Sequence, residues 1–112
     1  MHHPPFATGI GHMDGIGLRQ GSDALADVLR RHPQVERVIC GHLHRPIVRR
    51  FGGTVAMTAP STAHQIALDL REAGPAAWRL EPPGFALHAL VDGAVVSHQI
   101  TVGDFGPSQP YD

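Results

Sequence analysis

A mixed α/β (α+β) fold, with one main helix and a mostly antiparallel sheet, is predicted by three features of this sequence. One framed helical stretch begins at Ser22, an apolar strand runs from Val35 to Cys40, and two two-residue hairpin signals follow at Gly52-Gly53 and Asp92-Gly93.

Each element has its own warrant. Between Phe6 and Gly21 the glycines at 9, 11, 15, 17 and 21 are too dense for a helix or strand and predict a long loop. Ser22 is an N-cap type, and Asp23 puts a carboxylate in the first turn, where the dipole favours it. Leu25, Val28 and Leu29 make an apolar stripe, Arg30, Arg31 and His32 suit a C-terminus, and Pro33 ends the helix at about Arg31. Val35 to Cys40 reads as a strand from its β-branched and apolar content. Ile47 to Phe51 and Thr54 to Met57 flank Gly52-Gly53, and Phe85 to Val91 and Ala94 to Val102 flank Asp92-Gly93. Gln65 to Leu70 alternates as a further strand. Arg71 to Pro83 reads as loop, with Trp78 folding its ring onto the sheet. The tail from Gly103 to Asp112 reads as extended and partly mobile.

The chain of 112 residues suits one small domain, divided into a histidine-bearing segment, 1–46, and antiparallel strands with the tail, 47–112. Hydrophobic residues make up 42% and charged ones 17%, a globular balance. A net charge of -1 gives no electrostatic footprint for nucleic acid or a membrane surface. The single Cys40 forms no internal disulfide and reads as a buried thiol. No apolar run approaches a membrane span and no signal peptide opens the chain, so a cytoplasmic location is expected.

Chemistry concentrates in the histidines, nine in all. In Gly41-His42-Leu43-His44-Arg45-Pro46 two imidazoles follow an apolar strand at i and i+2, a spacing that in an extended chain points both to one side. Gly41 lets the chain turn and a ligand approach, and Pro46 stops the strand. A second cluster, His2-His3-Pro4-Pro5, lies upstream in a segment bent by proline. Neutral imidazoles suit Mn, Fe or Zn. His32 fits a helix C-terminus, and His88 and His98 fall mid-strand, away from such a site. His64 follows the Pro60-Ser61-Thr62 loop, and Asp14 is the nearby acid; their roles stay open.

Met1-His2-His3-Pro4-Pro5-Phe6 and Gly41-His42-Leu43-His44 resemble the last two motifs of the calcineurin-like metallophosphoesterases. Met13-Asp14 and Thr58-Ala59-Pro60-Ser61-Thr62 bring the likeness closest to the bacterial branch acting on cyclic nucleotides and glycerophosphodiesters. The resemblance spans the chain and covers only the C-terminal part of the family, whose earlier D-x-H, G-D-x-x-D and G-N-H-[DE] motifs do not occur in these residues. Met1 is accordingly expected to correspond to an internal strand-end position of a longer frame. The resemblance implies the C-terminal half of an αββα sandwich. It also implies a hydrolase with two divalent metal ions, His2 and His42 on one and His44 on the other, and His3 beside them as the catalytic or substrate-contacting group. A small phosphodiester is the implied substrate, and the chain alone is expected to be an inactive homo-oligomer. Two other readings stand beside it: a non-enzymatic oligomerising fragment, and a small histidine-based metal-binding protein, in the limit a mononuclear zinc site.

Overall fold

The computed structural model describes residues 1–111. Its elements are two helices, α1 (Gly11–Gly15) and α2 (Ser22–Arg30), and seven strands, β1 (Arg37–Cys40), β2 (Ile47–Phe51), β3 (Thr54–Thr58), β4 (Gln65–Ile66), β5 (Trp78–Arg79), β6 (Gly84–Val91) and β7 (Ala94–Thr101). The class is the expected one, α/β with one main helix and mostly antiparallel pairing. The strands fall into three sheets: β1-β3-β2, β4-β5 and β6-β7.

In the first sheet β1 runs parallel to β3 and β2 antiparallel to it. The C-terminal ends of β1 and β3 therefore lie side by side, and ligand sites in open α/β sheets form beyond such ends. Both hairpins turn where their chemistry predicts, with positive φ at Gly52 and Gly53 and at Asp92 and Gly93.

Several elements differ from the sequence reading. The glycine-rich loop contains α1, because Ile10 and Met13 are drawn into a core cluster with Leu43, Ile47 and Ile66. The buried face of α2 is Ala26 and Leu29, and Val28 is 41% exposed. Only Gln65 and Ile66 of the alternating 65–70 stretch form strand, and their partner is Trp78–Arg79, inside the segment read as loop. Trp78 does not lie on the sheet; it is 60% exposed, with its ring 5.4 Å from that of His64. From 103 to 111 the backbone has no regular element, and Asp112 lies outside the described residues.

The β6-β7 hairpin is tied to the first sheet through β1. The Arg37 guanidinium donates to Val95 O and Ser97 Oγ, and the Glu36 carboxylate accepts from Val95 N. The molecule is a slab of 50 × 41 × 20 Å with a radius of gyration of 16.1 Å, against roughly 13 Å for a compact domain of this length. Much apolar surface stays in water, including Phe85, Leu87, Val91 and Val96 on one face of the hairpin.

Candidate metal centre

Two limbs of chain meet beyond the end of β1. The first, Met1 to Pro5, lies along the free edge of β1: the Met1 ammonium donates to Ile39 O at 3.0 Å, and Gly41 N donates to His2 O at 2.9 Å. Pro4 and Pro5 are buried, and proline's fixed φ makes the limb stiff. The Ser22 hydroxyl at the start of α2 donates to Pro5 O at 2.5 Å. Ser22 is therefore not the cap of its own helix; the cap position is Gly21 at φ 90, with no side-chain cap bond.

The second limb, Gly41 to Pro46, is a loop and not an extended strand end. His42 has φ 69 and His44 φ 53, both left-handed, and Leu43 N donates back to Gly41 O at 2.8 Å. A bond across three residues with positive φ in the middle is the rarer and more strained γ-turn. Such residues persist only where surroundings over-determine them, and here they do. Leu43, between the two histidines, is 1% exposed against Ile10 and Met13. The fully buried Thr58 hydroxyl donates to Arg45 O and accepts from Ile47 N, bridging Pro46. The Arg45 guanidinium is held by the Glu81 carboxylate at 2.9 Å and by Ile66 O at 2.8 Å. At Gly41, whose φ is not positive, a Cβ would make only ordinary contact, 3.5 Å from His2 Nδ1, so the loop does not depend on this glycine.

The limbs bring His2, His3 and His42 together. Ring centroids are 4.9 Å apart for His2 and His3, 5.2 Å for His2 and His42, and 4.4 Å for His3 and His42. Each residue offers one ligand nitrogen, and these atoms lie within 4.8 Å of one another. His44 stands with His64 instead, centroids 4.7 Å apart, near enough that its charge would bear on His42. Among the described residues, His42 Nε2 and His44 Nδ1 are buried without a hydrogen-bond partner. Burial first, and the neighbouring His3 second, push the His42 pKa below the ordinary imidazole value, while a hydrogen bond with the Met13 main chain works the other way. The net effect favours the neutral ring, the form that ligates a metal.

Imidazoles that converge, favour neutrality and carry orphaned buried nitrogens fit a divalent metal ion. No carboxylate among the described residues joins the group. The Asp14 carboxylate accepts from Thr8 N, Thr8 Oγ1 and Gly9 N, fixing the bend into α1. His88 Nδ1 shares a 2.8 Å bond with Ser97 Oγ, and His98 lies exposed on the hairpin. Beside the histidines lies a cleft of about 220 Å³ lined by Pro5, Phe6, Met13, Leu18, Ser22 and His42. Sequence reasoning left His64 open and missed the Ser22 contact. For His64 the signal was the loop after β3; for Ser22 there was none, because the contact spans 17 positions.

No protein-family model matches the chain. It is 38% identical over 112 residues to a probable glycerophosphodiester phosphodiesterase of Arcobacter nitrofigilis, covering 99% of this chain and 41% of that protein. A probable cyclic nucleotide phosphodiesterase of Rhodopseudomonas palustris is 37% identical over 95% of this chain and 38% of its own length. A glycerophosphodiester phosphodiesterase of Enterobacter lignolyticus is 30% identical over 100% of this chain and 40% of its own. The chain thus spans about two fifths of the length of these relatives. It belongs with the metallophosphoesterase branch that they represent, the one its histidine motifs resemble.

Proposed function

We propose that this chain supplies the histidine side of a metal centre that hydrolyses small phosphodiesters, of the cyclic-nucleotide or glycerophosphodiester kind named for its relatives. The observation that carries the reading is the meeting of His2, His3 and His42, with orphaned buried nitrogens on His42 and His44. His2 and His42 would hold one ion and His44 the other, with His64 beside it. Two ions so held would neutralise the phosphodiester, supply a hydroxide near neutral pH and clamp the entering and leaving oxygens.

The chain's own residues do the rest. The strained loop fixes the directions of the His42 and His44 rings, and burial of His42 keeps its nitrogen available. His3, half-buried and 4.4 Å from His42, is placed to contact the substrate or hand it a proton. The cleft at His42 would receive part of the esterified group. Neutral imidazoles cannot balance two dications, so the carboxylates of a working site must come from polypeptide other than these residues. The apolar hairpin face suits self-association, and a cytoplasmic location accords with the free thiol of Cys40.

Metal counting and turnover test this together. With Mn or Zn added, the chain should bind at most one ion per copy, weakly, and His42→Ala should abolish binding. Hydrolysis of a chromogenic phosphodiester should need a longer frame that adds acidic ligands. A chain that binds no metal, or binds it equally well after His42→Ala, overturns the reading.

A further inference from the structure

We propose that Ser22 is a positioning residue of the metal centre, its hydroxyl setting where the His2-His3 limb stands against His42; this rests on the metal reading above. A serine opening a helix ordinarily spends its hydroxyl on the helix's own amides. Here Gly21 begins the ladder, with Leu25 N donating to Gly21 O at 2.9 Å, and the Ser22 hydroxyl goes instead to Pro5 O.

That carbonyl belongs to a residue under 2% exposed that has no N–H of its own to anchor it. The limb is thus held at two carbonyls, His2 O by Gly41 N of the first sheet and Pro5 O by Ser22 of α2. Between them stand His3 and Pro4, and proline's fixed φ leaves little freedom to redistribute a shift. Releasing the Pro5 end turns His3 away from His42, while the His42 loop keeps its separate supports in Leu43 and Thr58. Ser22 also lines the cleft beside His42, so the same hydroxyl joins wall and ligand limb. Side chains that orient metal ligands in this way are commonly worth tenfold to a hundredfold in affinity.

The test compares the wild-type chain with Ser22→Ala and Ser22→Thr by two readouts. In the metal-free chain, nuclear Overhauser contacts between the His3 and His42 ring protons report the limb directly. Titration with cobalt(II), followed by its visible absorption, reports affinity. Ser22→Ala should lose the ring contacts and weaken cobalt binding about tenfold or more, and Ser22→Thr should keep both. The melting midpoint of Ser22→Ala should fall by no more than about 8 °C, the scale of one hydrogen bond, since the cap at Gly21 remains. If Ser22→Ala does not fold, Ser22→Cys, a weak donor of similar volume, takes its place. Unchanged ring contacts and cobalt affinity in Ser22→Ala, or equal losses in Ser22→Thr, overturn the proposal. A wild-type chain that binds no cobalt counts against the metal reading alone, because the ring contacts still decide what Ser22 does.

Discussion

The seat of α2 on the first sheet is a single glycine, and replacing it should be far worse than replacing its neighbour. A Cβ on Gly52 would stand 2.9 Å from Leu29 Cβ and 3.1 Å from Ala26 Cα and O, whereas a Cβ on Gly53 meets nothing within 4 Å. Both residues lie in the left-handed region, at φ 57 and 86. Gly53→Ala therefore loses only what left-handed strain costs a residue with a Cβ, about 1–2 kcal/mol. Gly52→Ala loses the same and adds overpacking worth about 1–3 kcal/mol, so about 2–5 kcal/mol in all. The opposing atoms are a Cβ and main chain, which no rotamer change can move aside, so α2 must lift. Urea unfolding followed by far-UV circular dichroism gives both values, with the midpoint lowered at constant slope. Equal losses for the two variants, or a neutral Gly52→Ala, would show that α2 does not rest where the structure puts it.

Other outcomes follow from the same physics. Leu43→Ala should destabilise the fold by about 2–5 kcal/mol and also abolish metal uptake, because the side chain that seats the His42 loop is the one removed; a stable variant with wild-type uptake would refute this. The Arg71 guanidinium, first by hydrogen bond, holds the Asp69 pKa down at about 2. A depressed carboxylate stabilises above its unfolded value, near 3.9, and that contribution fades as pH falls towards 2. Acid unfolding of Arg71→Ala should accordingly begin at higher pH than wild type, and superimposable acid titrations would count against it. Light scattering should find the chain self-associated through Phe85, Leu87 and Val96, since a few hundred Å² of apolar surface is worth several kcal/mol. Leu87→Glu should then return it to a monomer, and a wild-type chain that is monomeric at high concentration would contradict this.

What could be read from the sequence was local. Gly52-Gly53 and Asp92-Gly93 placed both hairpins because a two-residue turn demands positive φ from its own residues. The helix was found by its period and by Pro33. What could not be read was set by partners distant in sequence. β5 exists only because Gln65 and Ile66 pair with Trp78 and Arg79. α1 forms in a glycine-rich stretch because Ile10 and Met13 have Leu43 to bury against. Val28, apolar and in phase, lies outward because the seat of α2 is the Gly52 turn beneath Ala26 and Leu29.

The histidine pair shows the same division at the level of chemistry. Its residue types and spacing pointed to a metal, but the extended geometry inferred from an i, i+2 pair is not the one adopted. In an extended strand His42 and His44 would share a face; with positive φ at both they diverge, one toward His2 and His3, the other toward His64. Left-handed β-carbon-bearing residues each cost of order 1–3 kcal/mol, so two of them flanking one leucine would relax unless something opposed it. Burial of Leu43 is worth about 1.5–3 kcal/mol, and the Thr58 bridge adds about 0.5–1.5 kcal/mol for each of its two bonds. These match the strain in size, which explains why the small apolar core lies directly under the loop. Its position serves to keep two imidazoles aimed at two neighbouring places, an arrangement that one ligand pair on a relaxed strand does not provide.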